Sequence, residues 1–205
     1  MLVRLSAISY IMFKISKFSF SNLSTLILMG FAALMVFSPD AKGWTIQQLM
    51  SLGFFQPALD KTPAPPSSTF SDVAFKNGSG EIITLNKLKG KVVFINFWVT
   101  WCPPCRAEMP SINRLSQELK GNKDILFLMV DVDGDYKNAL KFMERKKFSL
   151  PVYTVASDIP ESLLDGSIPT TIIFDKAGRL VFRHVGAGNF GSKKVKDYLN
   201  KLSHE

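Results

Sequence analysis

Two cysteines and two histidines are all the soft metal ligands of this kind that the 205 residues supply. The cysteines, Cys102 and Cys105, stand two residues apart, so a bond between them closes almost no loop and adds little stability. That excludes a disulfide framework as the basis of the fold. His184 and His204 lie far along the chain and lack ligand spacing, so no metal site is expected. No internal repeat is visible. The net charge of +8 is concentrated in basic clusters at Lys137–Lys147 and Lys193–Lys201 that match no recognised nucleic-acid-binding motif. Those clusters therefore read as solvated helix faces rather than a nucleic-acid surface. Charge is also missing altogether from residues 18–39.

That uncharged stretch is the first positive feature. Leu23–Phe37 is almost wholly apolar and follows Lys14 and Lys17, with Arg4 further upstream. Positive then apolar is the order of an export signal or an N-in membrane anchor. The apolar core is short for a span of about 20 residues, and Ala41-Lys42-Gly43 offers small residues at the −3 and −1 positions of a cleavage site. Cleavage and retention both stay open, and Pro39 is expected to end the apolar helix. No cysteine follows the run, so a lipid anchor on that residue is excluded. Residues 1–43 are read as this export signal or anchor. Residues 44–68 are read as a short amphipathic segment (Trp44–Phe55) and a proline-stiffened linker (Lys61–Ser68), and 69–205 as the folded domain. The protein is expected outside the cytoplasm, in the periplasm, either free or held at the inner membrane by residues 18–39.

Within the domain, Phe70–Phe75 and Glu81–Thr84 are strand-like and flank Asn77-Gly-Ser-Gly80, a hairpin signal in which Asn and Gly tolerate positive φ. Asn77-Gly78-Ser79 also matches a glycosylation sequon, but the turn accounts for it. Lys91–Trp98 is a continuous apolar run, as in a strand buried on both faces. A helix should start near Cys102, carry Ile112, Leu115 and Leu119 inward, and bend at Pro110. Ile125–Val130 reads as a second buried strand, and Asp135–Lys147 as a helix with Leu140 and Met143 on its apolar stripe. Pro151–Val155, Thr170–Phe174 and Leu180–His184 read as strands, and Ser192–Leu202 as a closing helix. This order predicts an α/β fold: a central mixed sheet with helices on both faces and an N-terminal hairpin.

Trp101-Cys102-Pro103-Pro104-Cys105 falls between a buried strand and a helix start. The first cysteine there lies beside unpaired N–H groups and the positive end of the helix dipole, which favour thiolate by up to about 2 kcal/mol. A free thiol near pKa ~8.5 moves toward neutrality and becomes an effective nucleophile. Cys105, one turn into the helix, is placed to resolve the mixed disulfide.

Asn96-Phe-Trp-Val-Thr-Trp-Cys-Pro-Pro-Cys-Arg-Ala-Glu-Met-Pro110 resembles the active-site region of the TlpA/ResA-like, thioredoxin-fold thiol–disulfide oxidoreductases. The resemblance extends through Leu88-Lys-Gly-Lys91 and Ser167-Ile-Pro-Thr-Thr-Ile-Ile-Phe-Asp-Lys-Ala-Gly178, about two thirds of the chain, and it implies that 132–162 is the family's central α/β insertion. It implies that Ile168-Pro169 is a cis-proline loop holding substrate backbone opposite the cysteines, with Trp101, Pro103 and Pro104 completing the substrate surface. It implies that Glu108 is a carboxylate near the disulfide, placed to exchange a proton with the buried thiol. Asn96 stands where ordinary thioredoxins have a buried Asp, which leaves Glu108 as the candidate for that proton. The bland alternative for Glu108 is a solvated residue of the first helical turns. Val99-Thr100 departs from the family's small pair before the tryptophan.

The implied function is an enzyme that reduces disulfides of exported proteins, among them those of cytochrome c or metalloprotein maturation. Its redox centre is the Cys102–Cys105 pair, no cofactor is required, and a membrane protein donates the electrons. Four alternatives remain: a disulfide-donating oxidase of the same fold, a Cu(I)-binding dithiol, a peroxidase and a non-catalytic binding module. Val99 stands where peroxidases of this fold have threonine, and a binding module has no use for both cysteines. Asp131-Val-Asp133-Gly-Asp135 fails as a calcium loop, with Tyr136 and Phe142 at positions 6 and 12.

Overall fold

The structure, a computed structural model, describes residues 23–57, 70 and 72–205. The linker read at Lys61–Ser68 and the boundary at Thr69 lie outside the described residues. By internal contacts the chain divides into two units between Lys42 and Gly43. In the first, helix α1 (Leu23–Phe37) turns Leu26, Ile27, Leu28 and Phe31 outward. Among the described residues no single helix is long and apolar enough to cross a membrane. The next helix, α2, spans Pro39–Ser51. Pro39 thus opens a helix as well as following one, a role that suits its missing N–H; Ser38 Oγ caps the start, accepting from Ala41 N at 3.3 Å.

The second unit is built on one seven-stranded sheet in the order β2-β1-β5-β4-β3-β6-β7. The strands are β1 (Ala74–Lys76), β2 (Ile82–Thr84), β3 (Val92–Trp98), β4 (Ile125–Asp131), β5 (Val152–Val155), β6 (Thr170–Phe174) and β7 (Leu180–Val185). β3, β4 and β5 run parallel, whereas β1 with β2, β1 with β5, β3 with β6 and β6 with β7 are antiparallel. The mixed sheet expected from the element order is present. Helices α3 (Pro103–Glu118) and α4 (Tyr136–Lys146) make the parallel crossovers, and α5 (Lys193–His204) closes the chain.

Every residue of β3 is buried, and the strand's two-residue period divides the core. Val92, Phe94 and Trp98 join side chains from α3, α4 and α5, while Val93, Ile95 and Phe97 join Phe70, Leu85, Leu88 and Leu163 on the other face. The short 3₁₀ helix Leu85–Leu88 supplies two of that second group. Each fully buried aromatic or aliphatic side chain contributes about 1.5–3 kcal/mol.

Two local readings are corrected by the structure. The hairpin turn places its positive φ at Gly80, not at the Asn-Gly pair. Asn77 instead accepts from the backbone N–H groups of Ser79 and Glu81, and a Cβ on Gly78 would meet the Tyr136 ring. On α4 the buried stripe is Ala139, Phe142 and Met143, with Leu140 exposed. Phe142 takes the inward position because its ring packs on Trp98, at 5.4 Å between centroids. Helix α3 continues through Pro110 without a break.

Residues 43–57 belong to the second unit and pack on its folded core. Met50 is buried, its carbonyl accepts from Asn189 Nδ2, and Asn189 N donates to Phe55 O at 2.9 Å. Gly43 lies so near α3 that a Cβ would stand 3.1 Å from Pro103 O. Trp44, Leu52 and Phe54 of this segment face outward.

Candidate active site

The site forms where the parallel strands end. β3 delivers Val99-Thr100-Trp101 and then Cys102, which caps α3. Cys102 is extended (φ −79°, ψ 111°), as a capping residue must be, and its Sγ accepts from Cys105 N at 3.2 Å. Pro103 and Pro104 occupy the first helical positions, where a missing N–H costs nothing. Cys102 and Cys105 are joined by a disulfide. Cys102 keeps 3% of its surface exposed and Cys105 none, so of the two only Cys102 reaches the surface. When the pair is reduced, the same N–H and the helix dipole favour a thiolate on Cys102.

Glu108 follows from the helical period. Cys105, Glu108, Met109, Ile112 and Leu115 share the buried stripe of α3, so a carboxyl takes a place in the core that a hydrophobe would normally fill. Glu108 is wholly buried, which overturns the solvated reading. Opposite it, Asn96 on β3 and Thr171 on β6 are cross-strand partners whose parity matches Phe94 and Ile173 on the α3 side of the sheet. Asn96 Nδ2 donates to Glu108 Oε1 at 2.7 Å and to Thr171 Oγ1 at 2.9 Å, and Gly188 N donates to Glu108 Oε2 at 3.1 Å. Burial pushes the Glu108 pKa up from 4.5 to about 8, with the two donors pulling the other way.

The remaining expected residues gather at the same end. The Ile168–Pro169 bond is cis. Thr170, the next residue, pairs with Phe97, which puts the loop beside the end of β3 from which Cys102 emerges. Ile168 packs against the core cluster containing both cysteines. Trp101 is 60% exposed, its ring held by Nε1 donating to Asp133 Oδ2 at 2.7 Å. Pro103 and Pro104 are half-buried. Arg106 Nη1 donates to Thr100 O at 3.4 Å, and its guanidinium lies 5.1 Å over the Phe142 ring. Among the described residues there is no group of three or more His, Cys, Asp and Glu placed to hold a metal ion.

The sequence model of the Redoxin family matches residues 61–202. This chain belongs to the Redoxin family. Within it, the chain is 31% identical over 144 residues to a "Thiol-disulfide oxidoreductase ResA" from Geobacillus thermodenitrificans, covering 70% of this chain and 81% of the relative. A protein of the same name from Bacillus cereus is 30% identical over 164 residues, covering 80% and 89%. In fold, a secreted thiol-disulfide isomerase from Corynebacterium glutamicum superposes with a TM-score of 0.52, at 24% identity over 74% of this chain and 92% of that one. The redoxin described here is a ResA/TlpA-like thiol–disulfide oxidoreductase of thioredoxin-like fold.

Sequence reasoning found the redoxin's cysteines, Glu108 and the cis-proline, but not the partners that hold Glu108. Asn96 carried a signal, as the one polar residue in the apolar run Val92–Trp98. Thr171 and Gly188 carried none, because a buried threonine and a loop glycine have many ordinary causes. The glycine is required by space: a Cβ on Gly188 would lie 2.8 Å from the Phe190 ring and 3.3 Å from His184. Gly188→Ala is expected to destabilise by about 1–3 kcal/mol, the usual cost of overpacking, and to displace the N–H from Glu108. Thermal unfolding of the variant measures the first effect.

Proposed function

We propose that this redoxin acts outside the cytoplasm, reducing disulfides in exported proteins with the Cys102–Cys105 pair and no other cofactor. The observation that carries the reading is the capping position of Cys102, with Cys105 N–H aimed at its sulfur and Glu108 buried one turn beyond Cys105. Cys102 thiolate attacks one sulfur of the substrate disulfide; that bond breaks, a mixed disulfide forms, and one substrate thiolate leaves. Cys105 then gives up its proton and attacks Cys102 Sγ, which releases the second substrate thiolate and closes Cys102–Cys105. Two electrons pass to the substrate. Glu108, once ionised, receives the Cys105 proton, a task for which a carboxyl with a pKa of about 8 is suited. Trp101, Pro103, Pro104, Ile168 and Pro169 form the surface on which the substrate segment lies.

The apolar, outward-facing helix α1 supports an N-terminal signal or membrane anchor, and a dithiol donor in the membrane returns the electrons. Cytochrome c and metalloprotein maturation are the processes in which such a reductant would serve.

The test is the midpoint potential of the Cys102–Cys105 couple, measured by equilibrating the full chain with glutathione or dithiothreitol buffers. A value below about −220 mV is expected, in the range of reductants of this fold, whereas a value near about −120 mV makes the protein a disulfide donor.

A further inference from the structure

Among the described residues the carboxyl of Glu108 is held by two donors and by no acceptor. Asn96 Nδ2 and Gly188 N both donate to it, an arrangement that suits the anion. Complete burial favours the acid instead, and the two tendencies oppose one another. The neutral acid carries a proton that must itself be donated, and Asn96 is the only side chain among the described residues that hydrogen-bonds the carboxyl. The other end of that amide is empty: Asn96 Oδ1 is buried with no hydrogen-bond partner among the described residues.

The two ends of a side-chain amide have nearly the same shape and opposite hydrogen-bonding character. As it stands, Asn96 turns its N–H groups toward Glu108 Oε1 and Thr171 Oγ1. Rotated by half a turn, it presents Oδ1 to the same two groups, each of which then has an O–H to give. In either orientation one end of the amide faces no partner among the described residues.

We propose that Asn96 is the positioning residue of the proton step, its side-chain amide turning over as Glu108 gains and loses its proton. This rests on the role given to Glu108 above. Donation to an anion is stronger than exchange with a neutral acid. The net effect of Asn96 is therefore to lower the proton affinity of Glu108 and bring its ionisation toward neutral pH. Other titratable or charged groups do not account for the behaviour. On β7, His184 pairs in register with Thr171, its ring lying against Phe182 and Phe190. On α3, Arg106 is turned onto Phe142, and the cysteines are tied in their disulfide. On β4, Met129 is the neighbour of Asn96, and Asp131 lies at the strand end beside Trp98. The shift of Glu108 has burial, Asn96 and Gly188 as its causes, with no charge among them.

The test uses the full-length oxidised protein in detergent, with isotope-labelled Asn side-chain amides and Glu carboxyls followed by NMR across pH. The Asn96 amide resonances are expected to move with the same midpoint as the Glu108 carboxyl. That movement should vanish in Glu108→Gln and persist in His184→Asn. In Asn96→Leu the Glu108 midpoint is expected to rise by about one pH unit, a tenfold gain in proton affinity. Asn96 resonances that ignore the Glu108 titration in the wild-type protein overturn the proposal, as does an unchanged midpoint in a folded Asn96→Leu variant. The wild-type arm decides alone if that variant does not fold. None of these readings involves thiol exchange, so they fail or hold separately from the role of Glu108 in turnover.

Discussion

Mixed with a disulfide-bonded protein, the reduced Cys105→Ser variant is expected to accumulate a covalent adduct approaching one substrate per chain, whereas Cys102→Ser forms none and has no turnover above background. The asymmetry follows from burial and hydrogen bonding. Cys102 keeps a little exposure and receives the Cys105 N–H, while Cys105 has no exposed surface. A serine at 105 retains that N–H, so Cys102 is still supported as a thiolate and still attacks, but the sulfur that releases it is gone. A serine at 102 removes the attacked and attacking atom together. Non-reducing gel electrophoresis and intact mass distinguish the two variants. Adduct formation through Cys105 in Cys102→Ser would reverse the order of the two sulfurs.

Glu108→Gln is expected to change both stability and rate, with opposite signs on the alkaline side. In the folded protein Glu108 holds its proton up to about pH 8, against 4.5 for the ordinary carboxyl that the unfolded chain presents. Between those values the folded state binds the extra proton. Stability is therefore full below the lower value and falls as pH rises toward the upper one, by at most about 1.4 kcal/mol per pH unit. Glutamine keeps the size of the side chain and has nothing to ionise. The variant should lose that slope and unfold at a higher temperature than the wild type above neutral pH. Its resolving step should slow by about 10²-fold, the lower end of what a positioned proton acceptor contributes, and the pH dependence of that step should flatten. Thermal unfolding across pH and stopped-flow resolution of the mixed disulfide measure the two effects. A wild-type unfolding temperature with no downward slope between the two values would mean that Glu108 is not held neutral.

Elements with strong local signals were legible in the sequence. β3 was visible because seven consecutive residues are buried on both faces, and the start of α3 because Cys102 and two prolines satisfy the first turn together. Residues whose role depends on distant partners were not. Leu140 fits a helical stripe as well as Phe142 does, and only the Trp98 ring across the sheet selects the phenylalanine. Gly78 reads as a turn former, yet its constraint is the approach of Tyr136, far away in sequence. At the site, Cys102 and Cys105 were legible from their spacing at a helix start, and Glu108 from the family resemblance. The donors that hold Glu108 come from β3 and from the loop after β7, 12 and 80 residues away. Sequence spacing carries no record of such contacts until the sheet order joins them.

The central claim is that disulfide bonds pass between a protein substrate and the Cys102–Cys105 pair. Its most direct measurement is a single-turnover reaction of the reduced full chain with a disulfide-bonded protein, quenched with acid and read by mass spectrometry of both partners. The account predicts that each substrate disulfide lost is matched by one Cys102–Cys105 disulfide gained, through a mixed disulfide on Cys102. A substrate whose disulfide persists while both cysteines stay reduced would contradict it.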